Sequence, residues 1–177
     1  VLEQRLRFAI TAAGRRPQAQ VYVVAEKILE PGEELPRNWQ IAGTSGYDFL
    51  AVTNGLWVDK AAEHRMTELY LRITGEPNDF AAMVFDAKRQ IMETSLSAEM
   101  IMLGQALRRI AEADRRSRDF TLASLTTAIK ATIAAFPVYR TYVAPDGSRQ
   151  PNDETHIEHA IAVAKRKNRG LDPSVFD

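Results

Sequence analysis

Val21-Tyr22-Val23-Val24-Ala25-Glu26-Lys27-Ile28-Leu29 opens with an apolar, β-type run. Its β-branched, aromatic and small residues suit a pleated, part-buried surface and predict a strand from about Gln20 to Ala25. A carboxylate follows at once. Enzymes built on parallel strands collect their chemistry at the carboxyl edge of the sheet, so Glu26 is a candidate catalytic acid. As a general acid it would need burial or a neighbouring carboxylate to keep a proton near neutral pH and donate it to a leaving oxygen. Lys27 falls on the opposite face of the strand and so is not expected to pair with Glu26. Most glycosyl chemistry uses two carboxylates, and only one helix-like stretch precedes this strand.

Working outward, Leu2, Leu6, Ala9 and Ala13 share one face and predict a helix from about Leu2 to Ala13, stopped at Gly14. Beyond Glu26 the chain runs from Glu30-Pro31-Gly32 through Leu35-Pro36 to Gly43-Thr44-Ser45-Gly46, too punctuated for regular structure. Loops of this length are usually functional. Helical spacing begins at Tyr47, first to about Gly55 and then from Lys60 to Ile73, with Gly75 and Pro77 as the stop. Asp79 is placed to cap a long apolar stripe of Phe80, Val84, Ala87, Ile91, Leu96, Met100, Leu103, Leu107 and Ile110. The polar run Thr94-Ser95-Leu96-Ser97 divides it into two helices or one kinked helix.

Thr121 precedes a further helix that must end near Phe136, because the residue before Pro137 disfavours the α region. Val138-Tyr139-Arg140-Thr141-Tyr142-Val143, bounded by Pro137 and the turn Pro145-Asp146-Gly147, predicts a second strand. Asn152 or Asp153 could cap a last helix through Ala164. With about 110 residues between the two strands, parallel pairing is favoured over a hairpin. The first residues already read as helix and Asp172-Pro173-Ser174-Val175-Phe176-Asp177 reads as the start of another, so a segment of a longer protein is expected.

Composition narrows the function classes. Twenty-three basic residues balance 23 acidic ones, so no net field draws the chain to nucleic acid or an anionic membrane. The absence of cysteine removes disulfides and thiolate metal sites and fits a reducing, cytoplasmic setting. No apolar run approaches the roughly 20 residues needed to span a bilayer.

Other constellations have ordinary explanations. Gly43-Thr44-Ser45-Gly46 lacks the spacing and lysine of a nucleotide loop. His156 and His159 are one helical turn apart without a third ligand nearby, so no metal site is assigned; a metal-dependent hydrolase using them is a minor alternative. Arg115-Arg116-Ser117-Arg118 and Lys165-Arg166-Lys167-Asn168-Arg169 follow predicted helices, where cations meet the negative end of the helix dipole. Met83, Met92, Met100 and Met102 read as core filler.

Three blocks in order, Val23-Val24-Ala25-Glu26-Lys27-Ile28-Leu29, Gly43-Thr44-Ser45-Gly46-Tyr47-Asp48-Phe49 and Phe136-Pro137-Val138-Tyr139-Arg140-Thr141-Tyr142, resemble maltooligosyl trehalose synthase. The blocks Ala113-Asp114-Arg115-Arg116-Ser117-Arg118-Asp119-Phe120-Thr121 and Asp172 to Asp177 are similar to that family too, so the likeness spans essentially the whole chain. The resemblance implies a mainly α segment with two or three short strands, a fragment of an α-amylase-type (β/α)8 barrel plus an inserted helical subdomain. Residues 1–45 would supply a barrel helix, strand and active-site loop, residues 46–136 the helical insertion, and residues 137–177 a second barrel strand and its helix.

It also implies a cytoplasmic enzyme, without cofactor, that isomerises the reducing-end α-1,4 bond of a maltooligosaccharide to an α,α-1,1 bond with retention. Glu26 matches the family's acid/base, and Tyr47, Asp48, Arg140 and Tyr142 are candidates to shape the sugar site. The family's nucleophilic aspartate lies on the preceding barrel strand and its third carboxylate on a later one, both outside these residues. The expected partners are therefore the sugar and the remainder of the barrel, with self-association and no catalysis when the segment stands alone. The competing reading is a helical interaction module whose partner face is the stripe from Phe80 to Ile110.

Overall fold

The computed structural model describes residue 5 and residues 22–177 other than 145. Apart from Arg5, which is helical, the helix expected over Leu2–Ala13 lies outside the described residues, as do the first two residues of the expected strand. The chain divides into two compact units, Val1–Glu63 and His64–Asp177. The described part is mainly helical with two short parallel strands.

In the first unit β1 (Val24–Ala25) pairs in parallel with β2 (Gly43–Thr44), and α1 (Tyr47–Gly55) follows. The register sets Val24 beside Gly43 and Ala25 beside Thr44. Parallel pairing was expected, but with the Val138–Val143 segment as partner. Instead the partner comes from the loop that looked too punctuated for regular structure. Gly43 disfavours a strand and the single β-branched Thr44 cannot set one among Gly and Ser neighbours; the ladder to β1 does so, with Ala42 N–H donating to Val23 O at 2.7 Å and Ser45 N–H to Ala25 O at 2.9 Å.

The second expected strand is absent from the described residues. Residues 137–139 form a bend and 140–144 have no regular structure. Strand preference expresses packing against paired neighbours, and no strand pairs with this segment among the described residues. Val138 is nevertheless buried.

The helices that follow obey local signals closely. A 3-10 turn, Lys60–Ala62, leads into α2 (Glu63–Thr74), which stops where Gly75 turns to φ 69°. Asp79 caps α3 (Phe80–Glu93) by accepting from Ala82 N–H at 2.9 Å. The chain breaks at Thr94–Leu96 before α4 (Ser97–Ala111). Thr121 caps α5 (Leu122–Ala135) through Ser124 N–H at 3.1 Å, and α5 ends one residue before Phe136. α6 (Asp153–Lys167) starts where expected, although Asn152 makes no side-chain cap; the Asp153 carboxylate instead accepts from Gln150 N–H at 2.8 Å. The closing 3-10 turn, Pro173–Phe176, has Pro in its first positions and Asp172 accepting from Ser174 N–H and Oγ. Those two bonds hold the Asp172 carboxyl below its ordinary range, so acid weakens this cap.

Helix α5 is the centre of the second unit and packs on α3, α4 and α6. Its buried residues, Leu125, Ala128, Ala131 and Ala134, recur every three positions, and opposite them Ala160 and Ala164 of α6 are fully enclosed. Small side chains at these positions let the helix axes approach closely. The expected stripe on α3 and α4 is corrected by burial: Phe85, Met92, Met100, Gly104 and Ala111 turn inward, whereas Phe80, Ile91, Leu103 and Ile110 are exposed. Phe80-Ala81-Ala82-Met83-Val84-Phe85 is apolar on every face, so periodicity alone could not select the inner one. Met92 and Met100 are core as expected; Met83 and Met102 are exposed. No helix among the described residues is long and apolar enough to cross a membrane.

Gly104 of α4 is buried against Thr126 and Leu122 of α5. A Cβ there would fall inside the van der Waals shell of Thr126 Oγ1, and that hydroxyl is committed to Leu122 O at 2.7 Å. Gly104→Ala is expected to lower the thermal midpoint. The overpacking penalty, about 1–3 kcal/mol, exceeds the helix-propensity gain of about 1 kcal/mol. Adding Thr126→Ala should recover most of the loss, which calorimetry of the three proteins checks.

Candidate functional site

The parallel pair gives the first unit a defined carboxyl edge. Glu26 is the first residue past Ala25 on β1, and Ser45 is the first past Thr44 on β2, so the two chains leave the sheet in the same direction. Glu26 is exposed. From the β2 side the chain turns at Gly46, whose φ of 122° and ψ of 0° disfavour an L side chain, and enters α1 at Tyr47. Tyr47 is half-buried. Thr44 Oγ1 donates to Asp48 Oδ2 at 2.9 Å and accepts from Gly46 N–H at 3.4 Å, which ties the first turn of α1 to the end of β2. Glu26, Tyr47 and Asp48 therefore belong to one sheet edge.

The segment leaving β1 is built as firmly. Lys27 is buried, and its Nζ lies 2.7 Å from Glu33 Oε1. Glu30-Pro31-Gly32-Glu33 closes a turn, with Glu33 N–H donating to Glu30 O at 2.9 Å and Gly32 at φ 82°. Proline second and a positive-φ glycine third are what a type II turn requires. Glu33 Oε2 also accepts from Glu30 N–H at 3.1 Å. Gly32→Ala is expected to strain this turn by about 1–2 kcal/mol, because a Cβ disfavours the left-handed region. Faster amide exchange at residues 30–33, with exchange in 64–177 unchanged, would show the effect.

Arg140 and Tyr142 lie in the second unit. The Arg140 guanidinium carbon sits 4.9 Å from the Tyr142 ring centroid, a cation–π distance, and Nε donates to Thr141 O at 3.0 Å. Arg140 is exposed and Tyr142 half-buried.

His156 is half-buried and His159 exposed, and no group of three His, Cys, Asp or Glu side chains that could hold a metal occurs among the described residues. The basic residues after α4 are held locally, with Arg116 N–H donating to Asp114 Oδ1 at 3.0 Å. At the end of α6, Lys165 pairs with Asp177, and Lys167 Nζ lies 4.7 Å from the Phe85 ring centroid. Reading the sequence did not anticipate Glu33 or Thr44 as parts of the site's support. A Pro-Gly turn followed by a carboxylate was the available signal for Glu33; Thr44 carried none until its strand was known.

No family model, curated protein or solved structure matches the chain.

Proposed function

We propose that the chain forms part of an enzyme converting the reducing-end α-1,4-glucosidic bond of a maltooligosaccharide into an α,α-1,1 bond by retaining intramolecular transfer. The observation that carries this reading is the position of Glu26 at the carboxyl edge of a parallel strand pair, with Tyr47 and Asp48 on the same edge. The motif resemblance supplies the reaction class. The place of Glu26 at that edge supports its assignment as the acid.

In the proposed reaction a carboxylate from another barrel strand attacks the anomeric carbon while Glu26 protonates the departing glycosidic oxygen, breaking the bond and leaving a glycosyl-enzyme. The freed glucose stays in the site and turns. Its anomeric hydroxyl then attacks the glycosyl carbon, Glu26 takes the hydroxyl proton, and the nucleophile departs. Two inversions give net retention. Water must be excluded during the turn, since its attack would give hydrolysis. Tyr47 is assigned as an aromatic platform for a sugar ring, Asp48 as an acceptor for ring hydroxyls, and Arg140 with Tyr142 as a second sugar surface.

Exposed Phe49, Leu56 and Trp57 in and after α1 support a role for the remainder of a barrel as partner, because apolar groups clustered on one short element seek cover. Self-association of the chain alone follows from the same exposure; light scattering at high concentration is expected to show it.

The reading is tested by incubating the full-length protein carrying this chain with maltopentaose. The expected product has lost its reducing end without stoichiometric release of glucose and shows an α,α-1,1 anomeric proton. Maltotetraose plus glucose would make the enzyme a hydrolase, and no turnover would count against the reading. A helical interaction module is the second reading, favoured by the exposure of Phe80, Ile91 and Ile110 on α3 and α4. It has no requirement for Glu26, so indifference of the biological activity to Glu26→Gln would favour it.

A further inference from the structure

We infer that the buried Lys27–Glu33 ion pair is a positioning element that fixes the direction in which Glu26 leaves β1, an inference that rests on the reading of Glu26 as the acid. Glu26 occupies a single-residue span between two anchors. On one side Ala25 is tied into the ladder, its carbonyl accepting from Ser45 N–H at 2.9 Å. On the other, Lys27 reaches inward to Glu33 Oε1 at 2.7 Å, with side-chain exposures of 7% and 9%. Neither anchor restrains the Glu26 side chain itself, which is exposed. What they fix is the backbone on both sides of it, and with it the direction of the Cα–Cβ bond.

Glu33 is delivered to Lys27 by the turn at Pro31-Gly32 and uses its second oxygen on Glu30 N–H, so one carboxylate closes the loop twice. Both charges are desolvated. Such a pair contributes little stability compared with apolar residues of the same volume, but it holds a defined geometry, because separating the partners strands a charge. An apolar pair would hold the loop down without fixing its register. Fixing the register here is useful for a residue that must deliver a proton to one oxygen.

The test uses the full-length protein with maltopentaose and compares Glu26→Gln, Glu33→Gln, the double variant Lys27→Met/Glu33→Leu and the exchanged pair Lys27→Glu/Glu33→Lys. Because Glu33→Gln leaves the lysine charge buried and can unfold the loop outright, the uncharged double variant is the deciding one. It is expected to lower kcat about 100-fold with KM within about threefold, the signature of a displaced catalytic group on an intact sugar site. Amide exchange at residues 27–33 should quicken while that of 64–177 does not, and the exchanged pair should recover part of kcat. Unchanged kcat in the double variant, with Glu26→Gln inactive, would overturn the positioning role and leave the acid standing. Unchanged kcat in Glu26→Gln would instead remove the acid reading and this inference with it.

Discussion

Glu26→Gln in the full-length protein is expected to lower kcat on maltopentaose by at least about 1,000-fold while maltopentaose still binds. The size follows from the double duty proposed for this carboxyl, which donates a proton in the first step and removes one in the second. Glutamine preserves shape and hydrogen-bonding capacity but can do neither. Glu26 is exposed and makes no contact on which the β1–β2 ladder depends, so the substitution should leave folding intact. A circular dichroism spectrum and sugar affinity matching the parent would establish that the loss is chemical. A drop of tenfold or less would show that the acid lies elsewhere.

Phe85→Ala is expected to be the most damaging single change to the helical unit, at about 3–5 kcal/mol, a large share of the 5–15 kcal/mol typical of a whole domain. Phe85 is the largest residue of a buried cluster with Met92, Met100 and Ala134, against which Ile129 and Ala135 pack. The small residues along α5 and α6 already allow close approach, so little remains that could collapse into the cavity. Lys167, whose ammonium lies 4.7 Å from the Phe85 ring centroid, would lose its aromatic partner as well. Phe85→Leu should cost far less, since it keeps most of the volume. Urea denaturation followed by helical ellipticity separates the two variants. A loss under about 1 kcal/mol for the alanine would place the unit's main core elsewhere.

Helix boundaries were readable because cap chemistry is local. Asp79 and Thr121 each reach an amide three residues on, Gly75 takes its positive φ, and the polar run at 94–96 breaks α3 from α4. What failed depended on distant partners. Gly43–Thr44 becomes a strand only because β1 lies beside it, and Val138–Val143, with stronger intrinsic preference, stays irregular without such a neighbour. The inner face of α3 was hidden by apolar residues on every side of its first two turns.

For the candidate site, the position of Glu26 just past the strand was legible in the sequence, but not the reason Tyr47 and Asp48 share its edge. That reason is the ladder of β2, and it appears only with the pairing. Lys27 could be assigned to the inner face by alternation. Its partner Glu33 could not, because five residues intervene and a loop carboxylate is normally solvated.

The most direct measurement of the central claim is turnover of an α-maltooligosyl fluoride by full-length Glu26→Gln, with and without azide. Fluoride leaves without a proton, so the first step should survive loss of the acid; the second step, deprived of its base, should stall at the glycosyl-enzyme. Azide needs no base to attack. Azide-dependent acceleration and an α-glycosyl azide product are therefore expected. Equal loss of activity on fluoride and maltopentaose, with no response to azide, would contradict the assignment of Glu26 as the acid and base.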